Sequence, residues 1–142
     1  MSRLTMTPFL RNVLRVDAVL SGLTALAMMA DAEPLAAWTG LPAVALTALG
    51  AALVPWAALL GWLSTRTNVA NAAVGSVVAL NFVWVVDCAL AAFGAFSAPQ
   101  GLGVVLLVVQ AIGTFVIAEL EWMGMRRAAR AAPAHGARAF AG

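Results

Sequence analysis

The stretch PAVALTALGAALVPWAALLGWL (42–63), STRTN (64–68), VANAAVGSVVALNFVWVVDCALAAF (69–93) decides the fold. Two long apolar runs flank five polar residues that include a single arginine. The hydrocarbon core of a bilayer takes about 20 consecutive apolar residues as a helix. A connection as short as 64–68 brings the second run back beside the first. The stretch therefore reads as a transmembrane helical hairpin with Arg66 at its turn. Outward from it lie two further runs of the same kind, Phe9 to Met29 and Leu102 to Met123. The expected fold is all-α, a transmembrane up-down four-helix bundle forming one domain over residues 1–127. Residues 128–142 are Ala- and Arg-rich without an apolar face, and are expected to form a disordered cytoplasmic tail.

Charge fixes the orientation of that bundle. All eight basic residues are arginines. Arg3, Arg11 and Arg15 precede or open the first run, Arg66 lies between the second and third, and Arg126, Arg127, Arg130 and Arg138 follow the fourth. Four spans put all of these on one side, and positive residues mark the cytoplasmic face. The chain is expected in a bacterial inner membrane with both ends cytoplasmic. Its arginine-rich ends suit anionic lipid headgroups, and no basic stripe interleaved with aromatics suggests nucleic acid. A second reading takes Arg3 to Arg15 as a signal-peptide n-region and Ala30-Asp31-Ala32 as its cleavage site. Asp17 interrupts the required apolar run, so an intact first helix is expected.

Composition supports the same class. The chain has 142 residues, of which 63% are hydrophobic and 10% charged. A soluble domain carries about 25% charged residues, and a small soluble core cannot bury such an apolar surplus. One cysteine, Cys88, excludes an intramolecular disulfide and a Cys-x-x-Cys pair. One histidine, His135, in the tail, excludes a bis-histidine haem and a catalytic triad. No phosphate-binding loop or zinc motif occurs, so no cofactor and no metal site is expected. The first outer loop (31–41) is apolar and should lie in the interface with Trp38 at headgroup depth. Trp62 and Trp122 fit the same belt. Pro55 should kink the second span.

Ionisable groups inside spans cost a few kcal/mol at the helix centre, about 2.5–3.5 on insertion scales, and mark the candidate sites. At about 100° per residue, Asp17, Ser21, Thr24, Met28 and Asp31 share one face of the first span, with Val19, Leu23 and Leu26 opposite. Gly103, Gln110, Thr114 and Glu121 share a face of the fourth. Asn81, Trp84 and Asp87 cluster on the third. Asn81 and Gln110 are expected at nearly the same depth, close to the midplane, where they could hydrogen-bond across the bundle. Packing alone accounts for many such residues, because small and polar side chains line helix contacts. Arg15 lies about 200° from Asp17 around the helix, so an arginine from another segment, such as Arg66, could serve as the partner of Asp17. Asp87 has no arginine at its depth. It can be a neutral donor, face an outer vestibule with Asp31 and Glu33, meet an external cation, or be satisfied by Trp84, a hydroxyl or a backbone carbonyl. Asp17, Asn81, Trp84, Asp87 and Gln110 are thus candidate proton, cation or partner contacts. Arg11, Arg15, Arg66, Glu119 and Glu121 are candidate ion pairs at the inner end.

The stretches LRVDA (14–18), ALNFVWVVD (79–87) and AELE (118–121) resemble small bacterial inner-membrane proteins of four helices and unknown function. The likeness covers the spans and implies no activity. The layout is also similar to small multidrug exporters, whose first helix carries a proton-coupling glutamate. Asp17 stands in the corresponding helix, nearer the inner boundary, and Asp87 has no counterpart there. The expected role is a non-enzymatic accessory or structural subunit of the membrane, working as a homo-oligomer or with a partner membrane protein. The alternative is a small proton- or cation-coupled transporter using Asp17 and Asp87.

Overall fold

The computed structural model describes residues 3–99 and 101–131. Its elements are β1 (Arg3–Thr5), α1 (Pro8–Ala30), α2 (Ala32–Thr39), α3 (Ala43–Thr65), β2 (Asn68–Ala70), α4 (Asn71–Ala92) and α5 (Leu102–Ala131). The long helices α1, α3, α4 and α5 are each long and apolar enough to cross a membrane. They lie close to the four runs read from the sequence and form an all-α bundle.

Local chemistry sets their ends. Thr7 caps α1 by accepting the Leu10 amide at 3.2 Å, and Pro8 supplies the fixed φ that suits a first helical position. The apolar outer loop folds as α2, which stops where Gly40 adopts φ 70° and returns its N–H to the Ala36 carbonyl. Pro55 lies inside α3 on an exposed face, and the helix continues through it. Helix α5 is longer than expected. Residues 128–131 are helical, and Ala128 is buried, because that turn packs on the core cluster. The expected disorder is therefore corrected for these four residues; 132–142, with His135 and Arg138, lie outside the described residues.

The two strands were not expected. Leu4 and Val69 face each other at the centre of an antiparallel pair whose outer register is Arg3↔Ala70 and Thr5↔Asn68. The Met6 amide adds a bond to the Thr67 carbonyl at 2.8 Å. This ribbon ties the chain start to the α3–α4 turn. The start of α1, the end of α3, the start of α4 and, through Gly124 against Leu10, the end of α5 gather there. All described arginines sit at this end, as an up-down order requires.

Helix α1 packs on α3, and α4 packs on α5, giving two hairpins that meet chiefly through α1 and α5; α3 and α4, expected side by side across the short 64–68 connection, share few contacts, because each packs on its other neighbouring span in the chain. Their shared apolar core lies at the arginine-bearing end and includes Leu10, Leu14, Leu60, Leu63, Val74 and Val77. Only 17% to 28% of each span is buried within the chain, so most of the apolar surface needs lipid or a partner to cover it. Val19, Leu23 and Leu26 are 59% to 63% exposed, as expected for the face opposite Asp17.

Candidate functional site

Just beyond this core, toward the opposite end, three helices bring their polar residues together. Asp17 from α1, Asn81 from α4 and Glu121 from α5 are all buried. The Asn81 side-chain amide donates to Asp17 Oδ2 at 2.9 Å and to Glu121 Oε2 at 3.0 Å. Ser21, one turn along α1, donates to Asp17 Oδ1 at 3.1 Å. Glu121 Oε1 is buried and has no hydrogen-bond partner among the described residues. One amide thus holds two carboxyls from different helices. Among the described residues neither is bonded to a cation, so the pair is a place where a proton or small cation can rest between two oxygens.

The α1 face continues from this cluster into a cavity of about 510 Å³ in the half of the bundle away from the arginines. Thr24 and Met28 line it from α1, Trp84, Asp87 and Cys88 from α4, and Gln110 from α5. Leu35 and Thr39 of α2 close part of its rim. Thr24 lies seven residues beyond Asp17, about 10 Å along the helix axis, with Ser21 between them. Asp87 is exposed and is the one acidic side chain in the lining. The walls are otherwise mostly apolar.

Several expectations are met by this geometry and several are corrected. The polar faces of α1 and α5 turn inward, so Asp17, Thr24, Gln110, Thr114 and Glu121 are at least partly buried, as is Asn81 of α4, whereas Asp31 at the end of the α1 face is exposed. Asn81 does not bond Gln110. Phe82 meets Phe115 edge-on, with ring centroids 5.9 Å apart, which sets the α4–α5 register. Gln110 then falls five residues, about 7.5 Å, from that level, beside Trp84 and Asp87 in the cavity. Glu121 is not at an inner-end ion pair; its length lets it reach up to Asn81. Arg66 is not the partner of Asp17. Its guanidinium lies 4.3 Å from the centroid of the Trp62 ring. Arg11 donates to the Arg66 carbonyl at 3.4 Å, Arg15 is exposed, and Glu119 is half-buried. None of the hydrogen bonds among the described residues joins an arginine to Glu119 or Glu121. No group of three His, Cys, Asp or Glu side chains converges among them either.

The sequence carried the signal that Glu121 belongs to the site. It shares a helical face with Gln110 and Thr114, and that stripe was a better guide to its direction than its closeness to the arginines. No protein-family model, curated protein or solved structure matches the chain.

Proposed function

We propose that the protein is a small multi-pass carrier of the bacterial inner membrane that couples a proton to the movement of an organic cation. The observation that carries this reading is the Asn81 amide bridging Asp17 and Glu121 beneath a cavity of about 510 Å³. Cavities of roughly 300–1,000 Å³ with mostly apolar walls and a few polar groups suit small molecules. Here Trp84 offers an aromatic ring and Asp87 a carboxylate at an apolar wall, which suits a cation with an apolar body. Ser21 and Thr24 connect that wall to the buried pair along one face of α1.

The bundle is closed by its apolar core at the arginine-bearing end and hollow at the other. That asymmetry supports a carrier with its path open to one side, since alternating access needs a site that faces one side at a time. The arginine distribution supports cytoplasmic termini and a cavity opening away from the cytoplasm. The reading is non-enzymatic: binding and release suffice. An accessory subunit, the expectation from small size, the lack of a cofactor ligand set and the small-residue helix faces, does not by itself account for a carboxyl pair beneath a hollow half. A homo-oligomer suits the carrier, because the outward faces of α1 and α5 remain apolar and uncovered within one chain.

The test is flux. Protein reconstituted in vesicles should take up a lipophilic cation such as tetraphenylphosphonium when a proton gradient is imposed. D17N and E121Q should each abolish gradient-driven uptake while still inserting. Full uptake by both variants, or none by the parent protein above empty vesicles, removes the carrier reading. Recovery of the protein only in a fixed complex with a foreign membrane protein would return the accessory reading.

A further inference from the structure

We propose that Arg11, Arg15 and Arg66 form a site for the phosphate of one anionic phospholipid, seated at the arginine-bearing end of the α1–α3 pair. Arg11 reaches across to the end of α3, where its Nη2 bonds the Arg66 carbonyl oxygen at 3.4 Å. Its Nε is buried and has no acceptor among the described residues. Arg15 follows four residues later on the same face of α1 and is exposed. The Arg66 guanidinium carbon lies 4.3 Å from the centroid of the Trp62 ring, and Arg66 is exposed.

Three arginines therefore lie at one helix pair, and none of their side chains is hydrogen-bonded to an acid among the described residues. Asp17 and Glu121 are hydrogen-bonded in the interior, Asp31, Glu33 and Asp87 belong to the opposite half, and Glu119 stands on α5, outside the α1–α3 pair. Guanidinium forks match phosphate oxygens in pairs, which a single ammonium does not. The occupant is a lipid, because the site opens onto an apolar track. Pro55, Leu59 and Trp62 are exposed at spacings of four and three on α3, leading directly to Arg66. An acyl chain can lie along this track with its headgroup at the arginines and Trp62 at the interface.

This site is independent of the cavity and of the carrier reading. The test uses the full chain purified free of lipid, then given phosphatidylglycerol or phosphatidylethanolamine of the same acyl composition, or inorganic phosphate. Retention is read by native mass spectrometry. One phosphatidylglycerol per chain should survive activation that strips phosphatidylethanolamine, and phosphate alone should not be retained. Each arginine lost should weaken retention about five-fold. R11Q/R66Q should therefore lose far more than R126Q/R130Q, which removes the same charge from the end of α5. R15Q, at an exposed residue whose side chain makes no hydrogen bond among the described residues, gives a reading even if R11Q/R66Q fails to fold, and it should show the single five-fold loss. Equal retention of the two lipids, retention of phosphate in place of lipid, an equal loss in R126Q/R130Q, or an unchanged R15Q would each overturn the site.

Discussion

The Asn81 amide nitrogen lies 2.9 Å from Asp17 Oδ2, joining α4 to α1 across 64 residues of sequence. These two helices share few other contacts. The bond therefore ties the two hairpins together near the level where the apolar core gives way to the cavity. The second hydrogen of the same amide holds Glu121, so one side chain fixes three helices.

Asn81→Leu should cost stability out of proportion to its size. It keeps the volume but leaves two buried carboxyls without their shared donor. Each orphaned group is worth about 1–3 kcal/mol in a soluble protein, and hydrogen bonds between membrane helices average nearer 0.6 kcal/mol. A loss of about 1–3 kcal/mol is expected, read as a lower unfolding midpoint in detergent. A midpoint equal to that of the parent protein would mean that the amide does not hold the hairpins together.

Much of this arrangement was legible in the sequence, and the reasons differ by element. The four spans follow from run length alone, since lipid requires about 20 apolar residues of each helix. The inward face of α1 follows from the spacing of Asp17, Ser21 and Thr24. The β1–β2 ribbon left no trace, because three residues are too few to show a period of two. The depth of Glu121 was misread because it was counted from the nearby arginines. Register between α4 and α5 is set by Phe82 against Phe115, a tertiary contact that no single helix encodes.

Gly103→Ala should disrupt the cavity rim. A Cβ at Gly103 would fall on the Trp38 carbonyl oxygen, and that atom is backbone, so neither side can yield by rotating a side chain. Overpacking of this kind costs about 1–3 kcal/mol. Gly113→Ala, where a Cβ meets nothing within 4 Å, is the matched control and should be neutral or slightly stabilising. Thermal melts of the two variants side by side decide the matter.

Leu14 and Leu23 should respond oppositely to truncation. Leu14 is fully buried in the core at the arginine-bearing end, and Leu23 is 59% exposed on the outward face of α1. Leu14→Ala should cost about 2–5 kcal/mol. Leu23→Ala in a lipid nanodisc should cost little, because lipid fills the space. Equal losses would place the outward face of α1 against protein, as in a tightly packed oligomer.

Cys88 reports on the cavity directly. It is the only cysteine in the chain, and it is buried in the wall beside Asp87. A small neutral maleimide should label it slowly from the hollow half. Leu106→Trp, which fills space in the same cavity, should slow labelling several-fold. Tetraphenylphosphonium should protect it in the parent protein and protect Asp87→Asn less. Labelling that neither the tryptophan nor the cation changes would mean that the reagent reaches Cys88 by another route.

Proton release on cation binding tests the central claim most directly. Purified protein in weakly buffered detergent, with a pH-sensitive dye, is mixed with tetraphenylphosphonium. Coupling through the Asp17–Asn81–Glu121 cluster predicts release of up to one proton per chain by the parent protein and none by the D17N/E121Q variant. Cation binding without proton release, or the same release from that variant, would contradict the account.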